Sequence, residues 1–450
     1  MIRFFIEKFA LKNISEKCIF NLNQSFYMTF KKLFKESFLV MAWVLSFIWG
    51  LSNIPLDSDI LNPISKAFSD FEITDVVFSH LRESPHASDD ITMINIGNLN
   101  REELAEMINI INEYKPKVIG IDAFFRKAKH SEDPYMDSIL VAGDSALSSA
   151  FAKTEHLVLV SEIDNNTNTI EYSHPMFVQH AEPGFADMIT KGTDHFKSAR
   201  HCLPKDSVDG KEVLSFPTKI AQIASPQKVK RYLARNNDTE IINFQGNIDT
   251  RVEGVSTNSK IFFSALDINQ VFNREFDPSV IKDKIIIMGF MGNNLGDNTW
   301  EDKFCTPLNE NYIGRTLPDM YGVVVHANII AMILREHYIN DMPLFWNFSI
   351  SLLFIFLNVW LFSWLHLNTA EWWDGISMII ALIGVLLLSM VTLTIFNLYN
   401  YKFDITLMSV ALLLSGNLIE LYWGIIKPLY NRSKEKNVSL HSNNQTSDTI

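Results

Sequence analysis

Residues 91–122 read ITMINIGNLNREELAEMINIINEYKPKVIGID, and three signals in this run set the architecture of the central part of the chain. Ile91 to Ile96 is a short apolar run ended by Gly97, as expected of a buried strand. Asn100, with Glu103 three positions on, opens a helix whose Leu104, Met107, Ile108 and Ile111 share one face. Lys115-Pro116 stops that helix, and KVIGID, Lys117 to Asp122, is a second buried strand. Strand, helix and strand at this spacing make a βαβ unit, hence a parallel pair with a right-handed crossover.

Working outward, HLVLVSEI at His156 to Ile163 and KIIIMG at Lys284 to Gly289 repeat the buried-strand signature, and Ile241 to Phe244 is a shorter candidate. Helices are expected over Met136 to Phe151, Phe216 to Ala224 and Asp319 to Arg335. The fold class expected is α/β, with helices on both faces of a mainly parallel sheet.

Apolar segments bracket this region. Leu344 to Leu367, Ile376 to Leu398 and Ile405 to Ile426 are each long enough for a helix to cross about 30 Å of hydrocarbon. Trp346, Trp364, Trp372, Trp373, Tyr399, Tyr401, Tyr422 and Trp423 cluster near their ends, where amphipathic rings favour the headgroup layer. Glu420 lies within about two turns of Lys427, close enough to the segment end to snorkel. A first segment, Phe38 to Ile54, is at the short limit for a span; a core helix or a signal peptide is the alternative. The Lys-rich stretch before it and Lys427, Arg432, Lys434 and Lys436 after the last segment place both ends in the cytoplasm by the positive-inside rule. The domains expected are therefore a basic cytoplasmic N-terminus (1–37), a span (38–54), an extracytoplasmic α/β domain (55–342), three spans (344–367, 376–398, 405–426) and a short disordered tail (427–450). Phe4, Phe5, Ile6, Phe9 and Leu11 among Lys8 and Lys12 are either an amphipathic helix on anionic lipid or a plain basic flank.

The net charge of −12 combines greasy helices, basic ends and an acidic exported domain, which argues against nucleic acid as a partner. Of three cysteines, Cys202 and Cys305 fall outside the cell, where a disulfide between them would persist; two buried thiols are the alternative. No metal site is expected, because neither has a second ligand at suitable spacing apart from the adjacent His201.

Parallel sheets place ligands at the carboxyl ends of their strands. Those ends carry Asn95 and Asn98 after the first strand, Asp122 after the second, and GFMGNNLGDNTWEDKF after the late one, with Asn293, Asn294, Asp297 and Asp302 among glycines. These seven residues are the candidate ligand-binding set. The late loop lacks the Lys-Ser/Thr ending of a P-loop and the dinucleotide spacing, so a tight loop is the plainer reading. There is no GxSxG elbow and no HExxH, no catalytic residue is assigned, and no cofactor is expected.

ITMINIGNLNREELAEMINIINEYKPKVIGIDAFF, then GFADM, SALDINQVFNREFDPSVIKDKIIIMGFMGNNLGD, DKFCTPL and MYGVVVHANIIAMIL occur in the order of the blocks of the CHASE type-two domain. The chain resembles that family, the cyclase and histidine-kinase-associated sensing extracellular domain, over roughly residues 57–338. The resemblance implies an extracytoplasmic sensor followed by three spans, joined to a cytoplasmic output module. Within it, His326 and Asn328 sit in a helix leading toward the membrane, which suggests signal coupling. The residues after Ile426 leave no room for a kinase or cyclase, so the output is expected from another protein.

The leading expectation is a non-enzymatic sensor in the cell inner (cytoplasmic) membrane. Its expected partners are the lipid bilayer, a small extracellular ligand and an unidentified output protein, with a homodimer left open. A membrane scaffold and an extracytoplasmic hydrolase are the alternatives.

Overall fold

This computed structural model describes residues 16–53 (side chains from 31), 72, 74–83, 86–126, 130, 132–164, 166–191, 197–249, 261–297, 299–309, 317–368 and 373–432. The N-terminal stretch around Phe4 to Lys12 and the tail beyond 432 lie outside the described residues. The chain divides into two compact units. One comprises residues 1–57, 341–394 and 403–450, and the other residues 58–340 with 395–402.

The second unit is built on β1 (Ser88–Asn95), β2 (Val118–Asp122), β3 (Leu157–Asp164), β4 (Thr169–Glu171), β5 (Glu182–Phe185), β6 (Asn247–Ile248), β7 (Ile261–Leu266) and β8 (Ile285–Gly289). Their order is β6-β7-β1-β8-β2-β3-β4, with β5 also pairing β3, and all pairings except β3–β4 are parallel. The first described helix is α1 (Glu16–Ser52), and α2 (Arg101–Glu113) is the expected crossover. Asn100 accepts from the backbone N–H of Glu102 and Glu103 while Glu103 accepts from that of Asn100, a complete capping box. α3 (Pro134–Lys153) packs beside it.

Register fixes the two faces. Ile94, Met288, Ile121 and Leu159 lie side by side and are buried under α2 and α3 with Leu104, Ile108, Leu147 and Phe151. On the other face sit α4 (Phe216–Ala224), α5 (Pro226–Leu233) and α6 (Gly322–Arg335). Gly120, in the row of Met93, Ile287 and Val158, lets α4 press onto the sheet; a Cβ there would lie 2.3 Å from Ile220 Cδ1. α6 is buried on all sides from Gly322 to Ile333, as an apolar helix at the centre of a domain must be. It starts three residues later than expected, because Met320–Tyr321 pairs antiparallel with Lys303–Phe304. Ile241–Phe244 does not join the main sheet. Only Glu240–Ile241 forms a strand, antiparallel to Cys202 and His201. β7 had no counterpart in the sequence reading.

Cys202 and Cys305 are not bridged. Cys305 lies beside Ser198, four residues from Cys202 along a strand, a separation of about 13 Å at strand rise and beyond disulfide reach. The Cys202 thiol is buried 3.8 Å from the Tyr232 hydroxyl.

Among the described residues the first unit holds four helices that are, by length and composition, able to span a bilayer: Lys31–Ser52 of α1, α7 (Leu344–Asn368), α8 (Trp373–Tyr399, as far as Thr394) and α9 (Thr406–Leu421, continuing to Arg432). The first begins seven residues before the expected Phe38. Small and polar residues mediate their contacts: Asn358 Nδ2 donates to Ser415 Oγ at 2.9 Å, and a Cβ on Gly384 would meet Leu412 at 2.6 Å. Trp43 Nε1 donates to the Leu418 carbonyl at 3.2 Å.

Two glycines of the domain have opposite expectations. A Cβ on Gly184 would lie 2.6 Å from Phe216 Cα, backbone that cannot step aside, so Gly184→Ala should destabilise by about 1–3 kcal/mol. Gly143 is inside α3 with nothing closer than 3.5 Å, so Gly143→Ala should stabilise by about 0.5–1 kcal/mol. Thermal unfolding of the full-length protein should therefore move its midpoint down and up respectively.

Candidate functional site

The in-register pairing of β1, β8 and β2 sets Asn95, Gly289 and Asp122 in one row at the carboxyl edge of the sheet. The expected site residues divide between two parts of that edge.

Around β1 and the late loop the polar groups satisfy one another. Asn95 is fully buried; its amide donates to Asp267 Oδ1 and the Gly292 carbonyl, both at 3.0 Å, and its oxygen accepts from the N–H of Gly97 and Met291. Asn98 Nδ2 donates to Asn293 Oδ1 at 2.6 Å, and the Asn294 N–H donates to Asp297 Oδ2 at 3.0 Å. Gly292, at φ +92°, supplies the turn that brings these strands of loop together. Asn95, Asn98, Asn293, Asn294 and Asp297 thus knit the loop to the strand end.

Asp122 and Asp302 lie elsewhere. With His326 they line a cavity of about 440 Å³ beyond the ends of β2, β3 and β5. Gly289 makes the approach of α6 feasible there: a Cβ on it would be 2.7 Å from Val323 and 3.3 Å from Asp122 Cβ. Gly322 does the same for Asp302, whose backbone carbonyl accepts from the Gly322 N–H at 2.9 Å. Asp302 lines the same cavity and is itself exposed. His326 is 3% exposed, its Nε2 stands 3.9 Å from Asp122 Oδ2, and its Nδ1 has no hydrogen-bond partner among the described residues. Cavity walls also come from Phe124 and Arg126 after β2, Ser161 and Glu162 of β3, Asp187 after β5, and Lys197. Arg126 is held by Glu162 and Glu171 and lies 3.9 Å over the Phe124 ring. A hollow beside Lys31, Lys32, Phe34 and Lys35 of α1 is mostly apolar and offers no convergent polar set.

Burial drives the electrostatics. It raises the Asp122 carboxyl to about 6 and lowers the His326 imidazole to about 4, so His326 is neutral at physiological pH. Asp302 is also raised, by burial of its carboxyl and then by the charges of Asp122 and Glu301. Two carboxyls that repel each other beside a neutral imidazole form a site with unused hydrogen-bonding capacity.

Asp187, Arg126 and Glu162 were absent from the expected set. Asp187 had a signal, since it follows a strand end within GFADM; Arg126 and Glu162 reach the cavity only through the placement of β3 beside β2. Asn328 is fully buried and does not reach the cavity lining; its oxygen accepts from the N–H of Gln245 and Gly246, and its amide donates to the Gly246 and Val324 carbonyls.

A mainly parallel α/β domain with a polar cavity at its strand ends, in a chain with four helices of spanning length among the described residues, defines a membrane-borne α/β domain with a candidate binding cavity. The family model for the CHASE2 domain matches residues 80–366, and the chain belongs to that family of sensory domains. Comparison with curated proteins and with solved structures gave no match. The protein is accordingly a membrane sensor whose CHASE2 match begins after the first candidate span and runs into the second.

The raised Asp122 carboxyl makes a signed prediction. A group that binds its proton more tightly folded than unfolded favours the folded state below its unfolded value, usually 3.8, and that contribution is lost as pH rises through about 6. Asp122→Asn should therefore raise the unfolding midpoint of the full-length protein at neutral pH, by up to about 3 kcal/mol, and the gain should vanish near about pH 4. A gain independent of pH would assign the effect to packing.

Proposed function

We propose that the strand-end cavity is the sensory site, taking a small extracytoplasmic ligand, and that its occupancy is relayed through the spans to a separate output protein. The carrying observation is a polar cavity at the carboxyl ends of parallel strands, where such sheets bind ligands, in which the buried His326 Nδ1 and the Asp122 carboxyl have no hydrogen-bond partner among the described residues. The Lys and Arg flanks of the spans support an extracytoplasmic domain with both ends in the cytoplasm of an inner membrane.

A relay is supported by what the domain's unit contains. Residues 395–402, which join the third and fourth candidate spans in the chain, belong to it. The Arg82 guanidinium donates to Asn243 Oδ1 and Asn400 Oδ1 and lies 4.5 Å from the Phe78 ring and 5.3 Å from Phe396. Asn340 N–H donates to the Asn400 carbonyl at 2.8 Å, and Lys402 Nζ to Glu72 at 2.6 Å. Burial lowers Arg82 only to about 10, so it stays charged, and its loss would leave the buried Asn243 oxygen and the part-buried Asn400 oxygen without this donor.

Thermal unfolding of the full-length protein in lipid nanodiscs, across a broad panel of metabolites, should give at least one saturable stabilisation. Ala186→Phe, which puts a ring at the cavity wall, should abolish it. Stabilisation that survives this change would move the site elsewhere; none from any compound, with a partner captured by crosslinking, would favour a scaffold.

Arg82→Gln should leave ligand affinity within about twofold while uncoupling ligand from any change in cysteine-labelling rate at positions near residue 430. An unaltered labelling response would remove Arg82 from the relay.

A further inference from the structure

The cavity carries more negative than positive side chains. Asp122, Glu162, Asp187 and Asp302 line it against Arg126 and Lys197. Two of the acids are engaged by the protein, since Glu162 pairs with Arg126, and Asp187 Oδ2 accepts from the Ile163 N–H at 3.0 Å. Arg126 is itself shared with Glu171, so it is more than balanced. Asp122 and Asp302 are different. Apart from His326 Nε2 at 3.9 Å from Asp122, neither carboxyl has a hydrogen-bond or ion-pair partner among the described residues.

Like charges placed together in a partly dry cavity repel, and a neutral His326 does nothing to offset them. A cation between them removes the repulsion and supplies donors to both. An ammonium group does this with three N–H bonds and no demand for fixed coordination geometry. Geometry favours it over a metal ion: among the described residues no three His, Cys, Asp or Glu side chains converge as a metal would need. A volume of about 440 Å³ also fits an organic molecule.

We propose that the cavity binds a small organic cation carrying protonated amine, with the Asp122 and Asp302 carboxylates as its counter-charges and the buried His326 imidazole as a neutral hydrogen-bonding partner. The proposal rests on reading this cavity as the sensory site. Occupancy would meet α6 directly, because His326 belongs to that helix.

The proton competes with such a ligand. Asp122 and Asp302 must be ionised to bind it, so affinity should rise with pH through about 6 to 7; Glu301 and the cavity-lining Arg126, Glu162, Asp187 and Lys197 are the other charged groups facing this pair.

The test is calorimetric and thermal-shift titration of the full-length protein in nanodiscs with putrescine as the ammonium probe, beside propionate, glycerol, and magnesium and calcium chloride at matched ionic strength. Saturable putrescine binding should weaken at least about tenfold in Asp122→Asn and in Asp302→Asn, and persist in Lys153→Gln, an exposed change at the end of α3 outside the cavity lining. It should also be several-fold tighter at about pH 7.5 than at about pH 5.5. Unfolding midpoints of the variants verify that each is folded. Propionate or glycerol binding without putrescine would overturn the cation while leaving the sensory cavity standing. Binding of magnesium or calcium alone would overturn the ammonium in favour of a metal. Putrescine binding unchanged in both carboxylate variants would place it elsewhere and overturn the proposal. Silence from every probe here and from every compound in the metabolite panel would overturn the cavity reading as well.

Discussion

The insertion of β8 between β1 and β2 is the constraint on which the rest of the domain depends. The chain completes the β1-α2-β2 unit first and leaves a gap one strand wide, filled only after about 160 further residues by Ile285–Gly289. Because all three strands run parallel, their carboxyl ends fall at one edge, and register aligns Asn95, Gly289 and Asp122. Placing a glycine between a structural amide and an acid makes the cavity feasible. Any side chain at 289 would meet Val323 and hold α6, with its His326, off the sheet.

The parts of this arrangement that obey a local period were legible in the sequence. The capping box at Asn100, the stop at Lys115-Pro116 and the bounds of α4 are decided by neighbours within a few residues, and the structure has them where expected. The apolar spans were legible for the same reason, since about 20 lipophilic residues in a row have few alternatives. Ile241–Phe244 and β7 show where that reasoning ends. IINF and IFFSAL are both short apolar runs, which periodicity cannot separate into sheet strand and buried coil. Tertiary partners decide: Ile261–Leu266 has the open edge of β1 to pair with, whereas Ile242 to Gly246 runs beside α6, where Asn328 satisfies the backbone.

The candidate site was half legible. Strand-end logic picks out polar residues that follow buried strands, and it found Asp122 and Asp302 together with five residues that instead hold the late loop closed. Sequence cannot tell a polar side chain that serves the backbone from one that faces a cavity. The distinction lies in hydrogen-bond accounting: Asn95 makes four bonds, all to protein, while Asp122 has no partner within hydrogen-bond distance. Asp122 is therefore a group whose presence costs stability, and such groups persist where function needs them.

That cost bears on how a cavity event leaves the domain. α6 both lines the cavity, through His326, and holds the 243–246 segment, through Asn328 two residues on. Asn243, in turn, bonds the His337 carbonyl just past the end of α6 and accepts from Arg82, which also holds Asn400. The connection from the cavity to residues 395–402 thus runs through hydrogen-bonded groups, of which His326, Asn328 and Asn243 are buried. Packed interiors transmit displacement because they have little slack. Contiguity alone does not make a switch, however. A ligand redistributes the helices only to the extent that it binds one arrangement more tightly than another. On the proposed reading, an unpartnered pair of carboxyls at the head of this route would supply such a difference, because a counter-charge binds more tightly to whichever arrangement holds the two acids closer together.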